Sequence, residues 1–452
     1  MYDKYLFSIE DFITIPKELY IKRIKINYWV IYNPNSYSAP ILITRKIAKI
    51  FFKLKDNRIK DILAVSKDKN YVANIINNLI LNNIILLNNK YYFKAQNSYT
   101  KRHSIWLHIT NRCNLRCPYC YIHKDDISDM SDEVIYGAIN NLLEEALEFG
   151  IKIVRIKFSG GEPMLRFYKI KEVVEFYRNN NRGIDIHYAI ITNGTIISKE
   201  IVDFIKKEKI EVSISMDGNK KYFNKTRIYP NGKGCFDQVI KNIRLLKENG
   251  IKPYILLTIT SKNIKGLPSF VKFAIKENLG FRFSIFKDYN SKDNSLMPDE
   301  KQLIFILKRC YFIMKRKPPQ FDIGRIHLNG INIYNPGSCG CAIGRFSTVI
   351  NWNGDISLCQ LIMDKPICSY ENGVISSINK QKQFIFRYQD KNKKTDCDDC
   401  IWRNVCGGNC PLSIIYHHGD CFGRSPNCKI FKSILPTLID TIGFQMYKSI
   451  RR

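Results

Sequence analysis

A chain of 452 residues exceeds a single ordinary core and predicts two or three domains. With 45% hydrophobic residues, no stretch of the roughly 18 apolar residues that a membrane span needs, and no cationic-then-apolar segment after Met1, it reads as a soluble, cytoplasmic globular protein with no membrane partner. The net charge of +30, from 71 Lys+Arg against 41 Asp+Glu, is spread without a basic arm. It therefore reads as a compositional bias toward Lys, Ile and Asn, or as a match to an acidic peptide, and not as a nucleic-acid partner.

Residues 1–97 contain no Cys, and their 16 Lys+Arg outnumber 7 Asp+Glu. A strand-like run from Tyr20 to Tyr32 leads into the turn signal Asn33-Pro34-Asn35-Ser36. Helical periodicity follows over Thr44–Leu54, Ile59–Ser66 and Tyr71–Leu81, and Ile84 to Phe93, broken by Asn88-Asn89, reads as a short hairpin. Strand, three helices and a two-stranded wing make a winged-helix-like module over 1–97.

Residues 98–290 alternate strand and helix. Strands are predicted at Ser104–Thr110, Lys152–Phe158, Asp185–Thr192, Glu211–Met216, Pro253–Thr260 and Phe281–Phe286. Helices are predicted between them, as at Ser131–Phe149 (with Ser131 as N-cap), Ser198–Lys207, Phe236–Asn249 and Ile264–Glu277. Six βα units in order imply a parallel sheet with right-handed crossovers and a ligand site at the carboxyl ends of the strands. The fold class is α/β. Residues 291–335 read as a linker with a bridging helix (Asp299–Lys315), 336–432 as a Cys-rich irregular domain, and 433–452 as a C-terminal helix.

The most informative loop follows the first of these strands. Cys113, Cys117 and Cys120 are spaced C-x3-C-x2-C, with Tyr119 before the last. Three thiolates on one loop can hold three irons of a four-iron cluster and leave the fourth open to a small molecule. A zinc knuckle would want a fourth ligand, and no His or fourth Cys completes the loop. Fifteen Cys in a chain without a secretion signal point to metal ligation in a reducing, oxygen-poor compartment, not to a disulfide framework. This loop resembles the signature of the radical SAM superfamily. The resemblance implies a [4Fe–4S] cluster whose open iron chelates S-adenosylmethionine (SAM). It also implies reductive cleavage of SAM to methionine and a 5′-deoxyadenosyl radical, with the six βα units forming a partial (β/α)6 TIM-like barrel.

Other motifs extend the resemblance. Ser159-Gly160-Gly161-Glu162-Pro163 closes the second strand; its glycines permit close approach of a ligand, and its Glu suits a cationic amine. It is similar to the family motif that holds the amino group of SAM. Ser213-Ile214-Ser215-Met216-Asp217-Gly218 ends the fourth strand, and Arg227 follows. In related maturases the corresponding Ser and Arg approach the methionine carboxylate, a role these groups suit chemically; the other reading is a capping turn and a surface Arg. Thr192-Asn193-Gly194 reads as a tight turn supporting the pocket. The expected cofactor-binding residues are thus Tyr119, Gly160, Gly161, Glu162, Ser215 and Arg227.

Near the C-terminus, Cys341-x12-Gly354-x4-Cys359, then Cys397-x2-Cys400-x5-Cys406-x3-Cys410, then Cys428 match the seven-Cys pattern of the SPASM domain, which houses auxiliary iron–sulfur clusters in peptide and protein maturases. Paired zinc sites are the other reading of such C-x2-C units. The resemblance implies an outer cluster on Cys397, Cys400, Cys406 and Cys428, and an inner one on Cys341, Cys359 and Cys410. Cys339 either completes the inner cluster or leaves an open iron for a substrate thiolate. Cys421 competes with Cys428 as last ligand. Cys235, Cys310 and Cys368 read as buried small hydrophobes, and His417 and His418 as bystanders.

The module at 1–97 resembles the RiPP recognition element, which captures the leader of a precursor peptide as an added strand; the other reading is a structural cap on the barrel. The sequence is thus identified as a radical SAM/SPASM maturase of a ribosomally made peptide, forming a thioether or carbon–carbon crosslink. Its expected partners are a precursor peptide with a leader and an external electron donor of flavodoxin or ferredoxin type. The alternatives are an anaerobic sulfatase-maturating enzyme, which makes formylglycine from Cys or Ser, and a non-catalytic zinc scaffold. No hydrolytic triad is visible, and Asp288 and Asp293 are unranked candidates for a general base.

Overall fold

The computed structural model describes residues 5–36, 38–54, 57–92, 102–122, 127–287, 294–325, 328, 330–334, 341, 346–380, 396–420 and 423–451. By compactness the chain divides into two units: residues 1–96, 307–341 and 392–452, and residues 97–306 and 342–391.

In the first unit, β1 (Ile13–Thr14) precedes three antiparallel strands, β2 (Tyr20–Lys25), β3 (Tyr28–Tyr32) and β4 (Ile41–Thr44), in the order β2-β3-β4. Helices α1 (Arg45–Lys53), α2 (Ile59–Ala64) and α3 (Lys69–Leu81) and strand β5 (Leu86–Leu87) follow. One expectation is corrected. The single run Tyr20–Tyr32 is a hairpin, because the chain reverses at Ile26–Asn27 and Lys25 pairs with Tyr28. The short hairpin expected within 84–93 is present at its turn, where Leu87 and Lys90 bridge across Asn88-Asn89, and β5 also pairs with β1, Ile13 against Leu87. Asn88 and Asn89, both at positive φ, turn the chain after β5. Ile13, Ile31, Phe51, Ile59, Ala73, Ile76, Ile84 and Ile85 form the buried core here.

The second unit is built on one nine-stranded sheet. Strands β6 (Arg102–His108), β7 (Ile153–Ser159), β8 (Asp185–Thr192), β9 (Glu211–Ser215), β10 (Tyr254–Ile259) and β11 (Phe281–Ile285) run parallel in sequence order. Between them lie α4 (Asp132–Glu148), α5 (Phe167–Asn179), α6 (Lys199–Lys207), α7 (Lys220–Phe223), α8 (Phe236–Glu248) and α9 (Leu267–Glu277). This is the six-unit parallel array expected from the sequence. Ser131 Oγ accepts from Val134 N at 3.3 Å and Ser198 Oγ from Ile201 N at 3.3 Å, so both helices start at N-caps.

Alternation assigns the faces of the sheet. Ile105, Leu107, Val154, Ile156, Phe158, Val212, Ile214, Ile255, Leu257 and Phe283 are buried on one face. Ser104, Trp106, Arg155, Lys157, Ser213 and Ser215 lie half-buried on the other, which is the inner face of the partial barrel. Helix α10 (Glu300–Arg316) follows β11.

The Cys-rich segment is more ordered than its sequence suggests. Strand β12 (Ser347–Ile350) pairs parallel with β6, and β13 (Asp355–Ser357) and β14 (Cys368–Ser369) continue the sheet antiparallel. Helix α11 (Ser376–Lys380) follows. In the first unit, α12 (Arg403–Cys406), α13 (Pro411–His418) and the long α14 (Cys428–Ile450) complete the chain. Helix α14 packs on β2, β3 and β4. A side chain at Gly443 would put its Cβ 2.8 Å from Val30 Cβ, so only glycine lets helix and sheet approach this closely. No helix among the described residues is long and apolar enough to cross a membrane.

Candidate functional site

The loop after β6 carries the three thiols. Its base is pinned by Arg166, whose Nη1 donates to Ile109 O at 3.0 Å and Met130 O at 2.6 Å, and by the ion pair of Arg112 with Asp129. Leu115 N donates to Cys113 Sγ at 3.4 Å and Asn193 Nδ2 approaches it at 3.9 Å, a donor pattern that suits a ligating thiolate. Burial pushes Cys113 up to about 11 and Cys117 to about 12, and each also feels the Cys120 thiol. Without metal, Cys113 and Cys117 are therefore protonated, and metal uptake there must release protons. Cys235 lies within electrostatic reach of Cys113, but its thiol donates to Arg227 O at 3.7 Å.

The loop after β7 meets the Cys loop backbone to backbone. Gly161 N donates to Thr110 O at 2.7 Å and Glu162 N to Arg112 O at 2.8 Å. A Cβ on Gly160 would sit 2.3 Å from Thr110 O, and one on Gly161 2.2 Å from Arg112 O. These glycines admit the chain's own backbone.

Glu162 is fully buried. Its carboxylate accepts from Thr192 Oγ1 at 2.6 Å, Asn193 N at 2.6 Å and Met164 N at 3.0 Å. Burial raises its pKa to about 7, against the lowering effect of those three donors. Thr192-Asn193-Gly194 thus does support the pocket, through Glu162, and Asn193 Nδ2 also reaches Asn114 Oδ1 at 2.8 Å.

Asp217, which the sequence reading left inside a turn motif, is the missed residue of this site. It is fully buried at the end of β9. Its carboxylate accepts from the Tyr119 hydroxyl, from Arg227 Nε at 2.9 Å, from Thr226 Oγ1 at 3.2 Å and from Thr258 N at 3.0 Å. Arg227 is buried too, and its guanidinium carbon lies 5.6 Å from the centre of the Tyr119 ring. Burial would lower the Arg227 pKa, but Asp217 reverses this and holds the guanidinium charged. Ser215 is half-buried at the same strand end. The arrangement brings Tyr119, Asp217 and Arg227 together beside Cys117, whose thiol feels both charges.

In the first unit Cys397, Cys400, Cys406 and Cys428 are gathered. Burial first, then the other three thiols, raise the Cys406 pKa, and Cys397 is raised by burial and by Cys400 and Cys428. Gly407, Gly408 and Asn409 between Cys406 and Cys410 are all at positive φ, a loop that side chains rarely permit. Cys341 and Cys410 belong to the first unit and Cys359 to the second. Cys339, Cys421, Asp288 and Asp293 lie outside the described residues. Among the described residues no three His, Cys, Asp or Glu side chains converge on a single metal-ion position; thiolates on separate irons of a cube need no such convergence. Three coupled thiols with N–H donors on sulfur, and a further set of four, are donor sets that fit iron–sulfur clusters.

Residues 107–274 match the Radical SAM superfamily. An uncharacterized protein of Methanocaldococcus jannaschii is 35% identical over 204 residues, covering 45% of this chain and 69% of that protein. A cysteine-type anaerobic sulfatase-maturating enzyme of Clostridium novyi is 29% identical over 363 residues, 74% of this chain and 94% of that one. Among solved structures, Streptococcus suis SuiB bound to S-adenosylmethionine has a TM-score of 0.55 at 16% identity, covering 92% of this chain and 100% of that chain; SuiB is also solved with the precursor peptide SuiA. The chain belongs to the radical SAM superfamily. Membership implies a [4Fe–4S] cluster and SAM.

Two predictions follow from this geometry. Asp217→Asn leaves the buried Arg227 charge uncompensated and costs about 3–5 kcal/mol in urea unfolding, most of which Asp217→Asn/Arg227→Leu recovers; a cost below about 1 kcal/mol in the single variant contradicts the pairing. Glu162 keeps its proton to higher pH when folded (to about 7) than when unfolded (4.5), so it makes the cluster-free protein less stable as pH rises across that window. The difference in unfolding free energy between wild type and Glu162→Gln should show that slope; parallel curves contradict it.

Proposed function

We propose that this radical SAM enzyme modifies a ribosomally made peptide, forming a thioether or carbon–carbon crosslink. The observation that carries the reading is the convergence of Cys113/Cys117/Cys120, Glu162, Ser215 and Arg227 at the carboxyl ends of β6, β7 and β9, the face where a parallel barrel holds its ligand. When bound, the cluster and SAM supply an organic radical that abstracts hydrogen. Glu162 is set to hold the cationic amino group of SAM, and an ammonium beside it would restore its charged form. Arg227, held through Nε by Asp217, keeps the Nη side of its fork for a carboxylate, with Ser215 nearby on β9. Tyr119, bonded to Asp217, fixes the Cys loop to the same carboxylate.

Cys397, Cys400, Cys406 and Cys428 would hold an auxiliary cluster of SPASM type. Such a cluster can accept the surplus electron of crosslinking, while a flavodoxin- or ferredoxin-type donor supplies the first. The module of residues 1–97 would bind the leader: β4 pairs with β3 alone among the described strands, so its outer edge can take an added strand. The likeness in fold to SuiB over 92% of the chain supports this reading. We further infer a cytoplasmic, reducing location, in keeping with exposed clusters.

Sulfatase maturation is the second reading, favoured by the Clostridium novyi relative. That similarity covers 74% of this chain, however, so it leaves out about as much sequence as residues 1–97 contain. The test is mass spectrometry after anaerobic incubation with SAM and reductant. The two substrates are a short Cys- or Gly-rich peptide encoded beside the enzyme and a sulfatase-type peptide. Loss of a hydrogen pair from the former is expected. Conversion of the sulfatase thiol to an aldehyde, with the short peptide unchanged, would favour the second reading.

A further inference from the structure

A short irregular loop holds itself poorly, and metal binding to such a loop is part of its folding. Residues 397–410 contain one four-residue helix, α12, and three successive residues at positive φ, Gly407, Gly408 and Asn409. What steadies this loop comes from the N-terminal sheet. Trp402 is buried. Its ring centre lies 5.6 Å from that of Tyr20 and 6.5 Å from that of Tyr32, with an angle of 18° to the Tyr32 ring. Tyr20 and Tyr32 are register partners across β2 and β3, so the indole rests on a cross-strand pair. Beside it, Asn404 Nδ2 donates to Asn35 Oδ1 at 2.8 Å.

Trp402 is also part of the turn that carries the thiols. Its carbonyl accepts from Cys406 N at 2.8 Å, and Arg403 N donates to Cys400 O at 2.9 Å. The last thiol, Cys428, opens α14, and Tyr20 reaches that helix as well. Its hydroxyl donates to Asp440 Oδ1 at 2.8 Å and stands 3.3 Å from Pro436 O. Both thiol-bearing segments thus lean on one tyrosine. We propose that Trp402 is a positioning residue that couples cluster occupancy at Cys397, Cys400, Cys406 and Cys428 to the N-terminal sheet. In the loaded protein the metal fixes the loop, the loop seats the indole, and the indole covers Tyr20 and Tyr32. Without the cluster the loop loosens, and the adjoining ends of β2 and β3 loosen with it. This rests on the cluster reading of the four cysteines and gives the N-terminal module a tie beyond peptide capture. The sheet that adds a strand is fully formed only with the cluster in place, and by linkage a peptide bound there holds the cluster more tightly.

The test is hydrogen exchange, read by mass spectrometry on the full chain after anaerobic reconstitution, with iron counted in each sample. Wild type is compared with the quadruple variant Cys397→Ala/Cys400→Ala/Cys406→Ala/Cys428→Ala, with Trp402→Ala, with Trp402→Phe, and with the quadruple variant carrying Trp402→Ala. Loss of the four cysteines should speed exchange of residues 20–32 by roughly tenfold or more, while β8 keeps its protection. Metal-free wild type should match the quadruple variant. Trp402→Ala should have a like effect on residues 20–32, and Trp402→Phe one of less than about threefold. The combined variant should exchange no faster than the quadruple one, since both changes cut the same connection. Unchanged exchange of residues 20–32 in the quadruple variant, an equal loss of protection in β8, or additive effects in the combined variant would overturn the proposal. The cluster reading fails separately, as equal iron in wild type and the quadruple variant, and the proposal falls with it.

Discussion

The site depends on two strand ends locked together by direct backbone contact. The loop after β7 lies so close to residues 110–112 that neither Gly160 nor Gly161 has room for a Cβ. That contact fixes where the Cys loop leaves β6. It also sets Glu162 beneath the loop, where Thr192 and Asn193 from the next strand end bind the carboxylate. One packing constraint thus orders three successive strand ends. A substitution at either glycine would disturb the thiols without touching them.

A second buried carboxylate does the same on the other side. Asp217 joins the Cys loop through Tyr119, the loop after β9 through Thr226 and Arg227, and the β10 end through Thr258 N. A buried ion pair adds little to stability on its own, and a well-packed apolar pair would often serve as well. What it supplies here is orientation: a charged guanidinium held at Nε. Glu162 and Asp217 differ in consequence. The first has only neutral donors and sits near neutrality in its titration; the second has a permanent cation beside it.

Much of this was legible in the sequence because it is local. Strand alternation and helix caps place the six βα units to within a few residues, and Cys spacing marks the cluster loop. The N-terminal hairpin was not legible, because its reversal at Ile26–Asn27 lacks the Asn-Gly or Asp-Gly pair that ordinarily signals a two-residue turn. Strand β12 was missed for another reason: four residues carry little pattern, and its partner β6 lies more than two hundred residues earlier. Asp217 looked like part of a turn because its meaning comes from Tyr119, 98 residues away.

The account stands on a cluster at Cys113, Cys117 and Cys120 with an iron left open for SAM. Electron paramagnetic resonance of the dithionite-reduced enzyme tests this most directly, in a variant with Cys341, Cys359, Cys397, Cys400, Cys406, Cys410 and Cys428 changed to Ala so that the other cysteine sets are silent. The account predicts a reduced-cluster signal that shifts when SAM is added and is lost on further change of Cys113, Cys117 and Cys120 to Ala. A signal indifferent to SAM, or zinc in place of iron at this loop, would contradict it.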